Sequence, residues 1–118
     1  MQDAGYTTIQ NLLEDEVDFN VILAMTDAGA YGAIRALQEA DYDPDSVIIV
    51  STNGESYAEE LIREGRFLRG TVTINREESS RLAVYSTVKM LAGSPVPETL
   101  SYPPGDVLTR EVLMALGE

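Results

Sequence analysis

Three groups of polar residues stand immediately after short apolar runs, and they are the residues best placed to do chemistry. VILAM leads into Thr26 and Asp27, VIIV into Ser51, Thr52, Asn53 and Gly54, and TVTI into Asn75 and Arg76. In open α/β sheets, ligands bind in the crevice beyond the carboxyl ends of the strands. A carboxylate beside amide and hydroxyl groups offers directed hydrogen bonds to a hydroxyl-rich or otherwise polar small molecule. Thr26, Asp27, Asn53 and Asn75 are therefore the candidate ligand-binding residues. Each has a second role open to it, because Thr, Asp and Asn at such positions also cap helices and form turns.

Catalysis finds little support. Asp27 has no second carboxylate at a paired strand end with which to hold a magnesium ion, and Glu55 falls in a loop. The chain has no histidine and no cysteine, which excludes a Ser-His-Asp triad, a thiol nucleophile and zinc sites built on imidazole or thiolate. No catalytic residue, no metal and no cofactor is expected. Gly29 and Gly32 lack the spacing of a phosphate-binding loop, and Gly32 is read as allowing close helix-to-sheet packing. Arg63, Arg66 and Arg69 are read as a solvated face with local ion pairs.

The elements that must position these residues follow from the apolar pattern. Tyr6, Ile9, Leu12 and Leu13 recur at helical spacing over residues 5–15. The run at 20–25 suits a buried strand, and AGAYGAIRALQEA after it a helix capped by Thr26 or Asp27. The arrangement repeats with a strand at 47–50, a helix at 56–64 closed by Gly65, a strand at 71–74 and a longer helix at 77–92. VPETLSYPPG then reads as a surface connection, with at most a short edge strand around 100–102, and residues 109–116 as a closing helical turn or two. The order predicts an α/β domain with a parallel sheet of about three core strands and right-handed crossovers.

The chain has 118 residues, 20 acidic and 8 basic, for a net charge of -12. That balance argues against direct nucleic-acid contact. No apolar run is long enough to insert in a membrane, and the N-terminal residues lack a signal-peptide pattern. Three short strands make a small sheet for this class, and buried parallel strands need neighbours on both sides.

VILAMTDAGAYGAIRALQEA resembles the strand, Asn-Asp pair and Ala-x-Gly-Ala helix of the type I periplasmic binding proteins, a pattern shared by sugar-responsive repressors related to the lactose repressor. VIIVSTNGESYAEELIREGRFLRGTVTINREE resembles the segment that follows, where a valine-rich strand ends in Gly-Phe-Asp-Gly. AGSPVP resembles the Leu-x-Gly-x-x-Val-Pro ending of the next helix, and DVLTREV the terminal Val-Thr-x-Glu-Asn-Val. The resemblance implies an incomplete half of a three-layer α/β/α fold, the C-terminal portion of a longer protein that binds a sugar between two lobes. It implies one partial domain: residues 1–75 from the C-terminal lobe, 76–94 a helix that packs on the other lobe, and 95–118 a return segment.

By position, Asp27 matches an aspartate that hydrogen-bonds ligand hydroxyls, and Thr26 replaces the asparagine before it. Asn53 matches the aspartate of Gly-Phe-Asp-Gly, and Ile74 falls where a glutamine often contacts ligand, with Asn75 beside it. The implied partners are a small polar ligand such as a sugar, together with the missing lobe or a second copy of the chain. The transport members imply a periplasmic or extracellular site; repressor parentage, or expression as this fragment, implies the cytoplasm. A solute-binding fragment, a self-associating half-domain without ligand binding, and a small acidic α/β enzyme or interaction domain all stay open. The first two carry an open parallel edge at the first strand and a helix face of Leu82, Tyr85, Val88 and Leu91 without its usual cover.

Overall fold

Alternating apolar strands and alanine- or leucine-striped helices build the chain, and the computed structural model describes residues 1–117. In order the elements are α1 (Gln2–Glu14), β1 (Val21–Leu23), α2 (Asp27–Glu39), β2 (Ile48–Asn53), α3 (Ser56–Glu64), β3 (Leu68–Thr73), α4 (Arg76–Leu91), β4 (Val107–Thr109) and α5 (Arg110–Leu116). The sheet runs β1-β2-β3-β4, with the first three strands parallel and β4 antiparallel to β3. This is the α/β class expected, with one more strand.

That fourth strand corrects the expectation for the tail. It lies at Val107–Thr109 and not around 100–102, because Thr73 holds the returning chain in place: its N–H donates to the Asp106 carbonyl at 2.8 Å and its carbonyl accepts from Gly105 N–H at 3.1 Å. The third strand also begins earlier than the apolar run indicates. A bulge between Ile49 and Val50 shifts the register so that Leu68 faces Ile49 and Gly70 faces Val50. Arg69 is the extra residue. It donates to the Gly65 carbonyl, to the Pro44 carbonyl at 3.3 Å and to the Asp45 carboxylate at 2.6 Å. Arg63 donates to the Leu113 carbonyl at 2.7 Å and ties α3 to α5. Of the arginine group only Arg66 is a plainly solvated side chain; the other two are fastenings between elements.

Strand alternation separates two sheet faces of different character. Val47, Ile49, Ser51, Leu68, Thr71 and Leu108 point to one face and are buried. There α1, α2, α3 and α5 form a helical layer over Ile34, Leu37, Ile62 and Leu113. The opposite face is left bare: Leu23 is 78% exposed, Val21 and Val107 each 59%, and Ile48 44%. Among the described residues α4 packs extensively on no other element, and Val84, Tyr85, Val88 and Leu91 on it are exposed. The Cα radius of gyration is 18.1 Å. A compact domain of this length would have about 13.5 Å, so one helical layer with a bare sheet face and an outlying helix accounts for the excess.

Gly32 serves a contact other than the one expected. A Cβ built on it meets the Gln2 carbonyl oxygen at 1.9 Å and the Tyr6 nitrogen at 2.7 Å, while one on Gly5 meets the Gly29 carbonyl oxygen at 2.2 Å. The close approach is thus helix against helix, α1 on α2. Gly32→Ala is expected to destabilise the chain by about 1–3 kcal/mol through overpacking. Gly29→Ala, whose Cβ would meet only Thr26 Oγ1 at 3.5 Å, is expected to be neutral or to stabilise by up to ~1 kcal/mol through helix propensity. Urea unfolding of the two variants, followed by circular dichroism, separates them.

Candidate binding site at the strand ends

Parallel pairing brings the carboxyl ends of β1, β2 and β3 to one edge of the sheet, and the four candidate residues follow those ends. The first two ends are fastened side by side, since Thr52 Oγ1 donates to the Met25 carbonyl at 2.6 Å. Thr26 is the N-cap of α2: its backbone is extended and its Oγ1 accepts from Gly29 N–H at 3.1 Å. Asn75 caps α4 in the same way, accepting from Glu78 N–H at 3.1 Å, which leaves its amide NH2 available.

Asp27 is the first residue of α2 and is 0% exposed. Its Oδ1 accepts from the Ser51 hydroxyl at 2.5 Å and the Thr71 hydroxyl at 2.7 Å, and its Oδ2 from Glu55 N–H at 2.7 Å. Thr71 Oγ1 in turn accepts from Gly54 N–H at 3.3 Å. One carboxylate therefore joins α2, β2, β3 and the loop that leads into α3. In this arrangement it holds the site from beneath and presents no surface to a ligand.

Asn53 is the member of the four that is neither buried nor used as a cap. It is half-buried at the end of β2, and its side chain makes no hydrogen bond among the described residues. Its φ of 126° lies outside the ordinary left-handed well. Such a backbone costs of order 1–3 kcal/mol and persists only where its surroundings fix it. The fixing groups are the two amides that follow, Gly54 N–H on Thr71 and Glu55 N–H on Asp27. At Gly54 itself φ is 66°, and a Cβ would meet Thr73 Cγ2 at 2.6 Å, so the turn admits no side chain there.

Thr71, Glu55 and Tyr31 join this candidate site without standing among the residues the sequence singled out for chemistry, and Ser51 stood in the polar group after VIIV but not among the four candidates. Ser51 and Thr71 are hydroxyl residues on the buried face of otherwise apolar strands, which is the one signal that could have marked them. Tyr31 donates to Glu55 Oε2 at 3.2 Å and meets the Tyr57 ring edge-on at 4.9 Å between centroids. Burial, and then the charges of Asp27 and Glu55, push the Tyr31 hydroxyl well above the usual tyrosine range. Among the described residues no three acidic, histidine or cysteine groups are clustered as a metal site requires. Beside the Glu55 carboxylate and the exposed Arg76, the edge offers three neutral groups: the Asn53 amide, the Asn75 NH2 and the Thr26 hydroxyl. Such groups suit ligand hydroxyls through paired donors and acceptors.

Two outcomes are expected from this geometry. Asp27→Ala strands two hydroxyls and an amide in a dry site, so it should cost about 2–4 kcal/mol in urea unfolding. Ser51→Ala should cost clearly less, because it leaves the carboxylate two of its donors. The second concerns pH. The raised Tyr31 hydroxyl stays protonated in the folded chain after unfolded tyrosine begins to ionise near pH ~10, so folding stability declines as pH rises past that value. Tyr31→Phe should flatten this alkaline decline in a pH series of denaturation midpoints.

The chain matches the periplasmic binding protein domain family over residues 1–95. It is 29% identical over 99 residues to the ribose import binding protein of Bacillus subtilis, an alignment that covers 84% of this chain and 31% of that protein. Two solved structures have the same fold. The periplasmic binding protein component of the arabinose ABC transporter from Shewanella sp. ANA-3, bound to L-arabinofuranose, superimposes with a TM-score of 0.79 and 23% identity, covering 98% of this chain and 39% of that one. An ABC transporter solute binding protein from Bacillus halodurans with bound myo-inositol gives 0.77 and 24%, with the same coverage of 98% and 39%. The chain thus spans well under half the length of the proteins it is similar to. A binding-protein family, not an enzyme family, accounts for the fold: the chain belongs to the periplasmic binding protein domain family.

Proposed function

We propose that this chain is the C-terminal lobe portion of a longer solute-binding protein and forms one wall of a cleft for a sugar or similar polyhydroxylated molecule. The observation that carries the reading is Asn53: an amide at a strand end with no side-chain hydrogen bond among the described residues, in a costly backbone conformation, held by a network anchored on a buried carboxylate. Proteins do not generally maintain such strain away from functional positions. Thr26 and Asn75 flank it with a hydroxyl and an amide NH2. Asp27 takes part by holding residues 53–55, and a direct contact from its carboxylate would require that network to open.

The partners in this reading are the ligand and the remaining lobe of the protein. The named ligands of the similar proteins, ribose in an import protein, arabinofuranose and myo-inositol, support a polyol or sugar. Residues 1–75 then supply the cleft wall, residues 76–94 the helix that docks on the other lobe, and residues 95–118 the return. The exposed Val84, Tyr85, Val88 and Leu91 on α4 support that docking role. Among the described residues no helix is long and apolar enough to cross a membrane, and the proposed place of work is outside the cytoplasmic membrane, in import.

Calorimetric titration of the chain with ribose, arabinose and myo-inositol tests the reading. One wall supplies only part of the contacts, so a dissociation constant in the millimolar range, about −4 kcal/mol, is expected for at least one of them. Asn53→Ala should weaken it about tenfold, the worth of a good hydrogen bond. No heat from any of the three, or heat unchanged by Asn53→Ala, would sink the proposal.

A further inference from the structure

Asn53 is followed by Gly54 in the turn that leaves β2. The other asparagines, Asn11, Asn20 and Asn75, precede leucine, valine and arginine, so Asn53 alone has glycine after it. The turn imposes that neighbour, since φ at Gly54 is 66° and a Cβ there would meet Thr73 Cγ2 at 2.6 Å. A glycine nitrogen is also the one that no side chain of its own shields when it approaches the residue before it. The Asn53 side chain is half-buried and makes no hydrogen bond among the described residues, so none of them ties its Cγ down.

What restrains the glycine nitrogen is the network beneath it. Gly54 N–H donates to Thr71 Oγ1 at 3.3 Å, beyond the ordinary range for such a bond. Thr71 is 1% exposed and donates its own proton to Asp27 Oδ1 at 2.7 Å, which leaves a lone pair of its oxygen for Gly54. Glu55 N–H on Asp27 Oδ2 at 2.7 Å fixes the next peptide. To react, the Gly54 nitrogen must lose its proton and turn toward the side chain of Asn53, and so must leave Thr71.

We propose that Asn53 is a site of spontaneous deamidation, at a rate set by the hydrogen bond from Gly54 to Thr71. The Gly54 nitrogen attacks Asn53 Cγ, and the new C–N bond closes a five-membered succinimide. The side-chain nitrogen leaves as ammonia, carrying in net the proton lost from Gly54. Water then opens the ring. Cleavage at Cγ gives aspartate in an unaltered main chain; cleavage at the main-chain carbonyl gives isoaspartate, with Cβ and Cγ inserted into the backbone. Either product replaces an amide that donates and accepts by a carboxylate that only accepts. The chemistry is independent of the ligand reading; its consequence for the site, loss of the donor offered to a sugar hydroxyl, rests on that reading.

The test holds the chain in warm, mildly alkaline buffer and reads the acid formed at each asparagine by peptide mass spectrometry, with isoaspartate resolved by chromatography. Acid is expected to accumulate at Asn53 ahead of Asn11, Asn20 and Asn75. Thr71→Val keeps the branched shape and removes the acceptor, so it should speed the reaction about fivefold, the scale of one hydrogen bond. Ser51→Ala leaves Gly54 on Thr71 and should not. If Thr71→Val does not fold, the wild-type chain in urea takes its place, because unfolding releases the same nitrogen and should raise the rate at Asn53 at least as much. Acid appearing no faster at Asn53 than at the other three, or a rate unmoved by release from Thr71, overturns the proposal. These readouts use no sugar, so they decide the modification even where the ligand titrations fail. Asn53→Asp should weaken sugar binding about as much as Asn53→Ala, and an unchanged affinity would overturn the consequence for the site.

Discussion

The Asp27 carboxylate is the point on which this half-fold turns. A buried carboxylate is tolerated only when hydrogen bonds replace the water it has lost, and here hydroxyls from two strands and an amide from a third segment do so. The arrangement fixes the first turn of α2 against β2 and β3 and sets the path of residues 53–55. Binding geometry and fold stability are therefore the same set of bonds. A substitution that loosened the carboxylate would release Asn53 into an ordinary backbone well and lose the preorganised amide at the same time.

The bare sheet face and the free β1 edge have one origin. A parallel strand is normally covered on both faces and flanked on both sides, and VILAM and VIIV are apolar on both faces as that arrangement demands. In the structure only one face has its helices, so Val21, Leu23 and Ile48 keep the composition of a core while standing at the surface. The same holds for α4, whose apolar residues are spread around an outlying helix. These surfaces keep the apolar composition that covered strands and helices have.

Most of the architecture was legible because it rests on local signals. Apolar runs with β-branched residues marked β1 and β2, alanine-rich helical spacing marked α2, and Thr26 marked its start. The parts that escaped depend on contacts distant in sequence. β4 exists because Thr73 pairs with residues 105 and 106, and nothing within VLT announces it. The early start of β3 depends on a bulge whose extra residue, Arg69, is anchored by carbonyls on other loops. For the site, the strand-end location was readable and the division of labour was not. The hydrogen-bond network of Asp27 was not readable because its partners, 24 and 44 residues away, are ordinary serine and threonine in the sequence.

The isolation of α4 has a thermodynamic consequence. A helix of 16 residues held by few tertiary contacts draws its stability mainly from its own backbone bonds, a marginal source at that length. It also draws on the Asn75 cap and the Glu78–Arg81 pair at 2.6 Å. Among the described residues no side chain of α4 belongs to the hydrophobic core under α1, α2 and α3. Amide exchange should thus divide the chain into two populations, with α4 opening by local fraying while the Asp27-anchored sheet opens only with global unfolding. A single midpoint would then describe the sheet and leave the helix out.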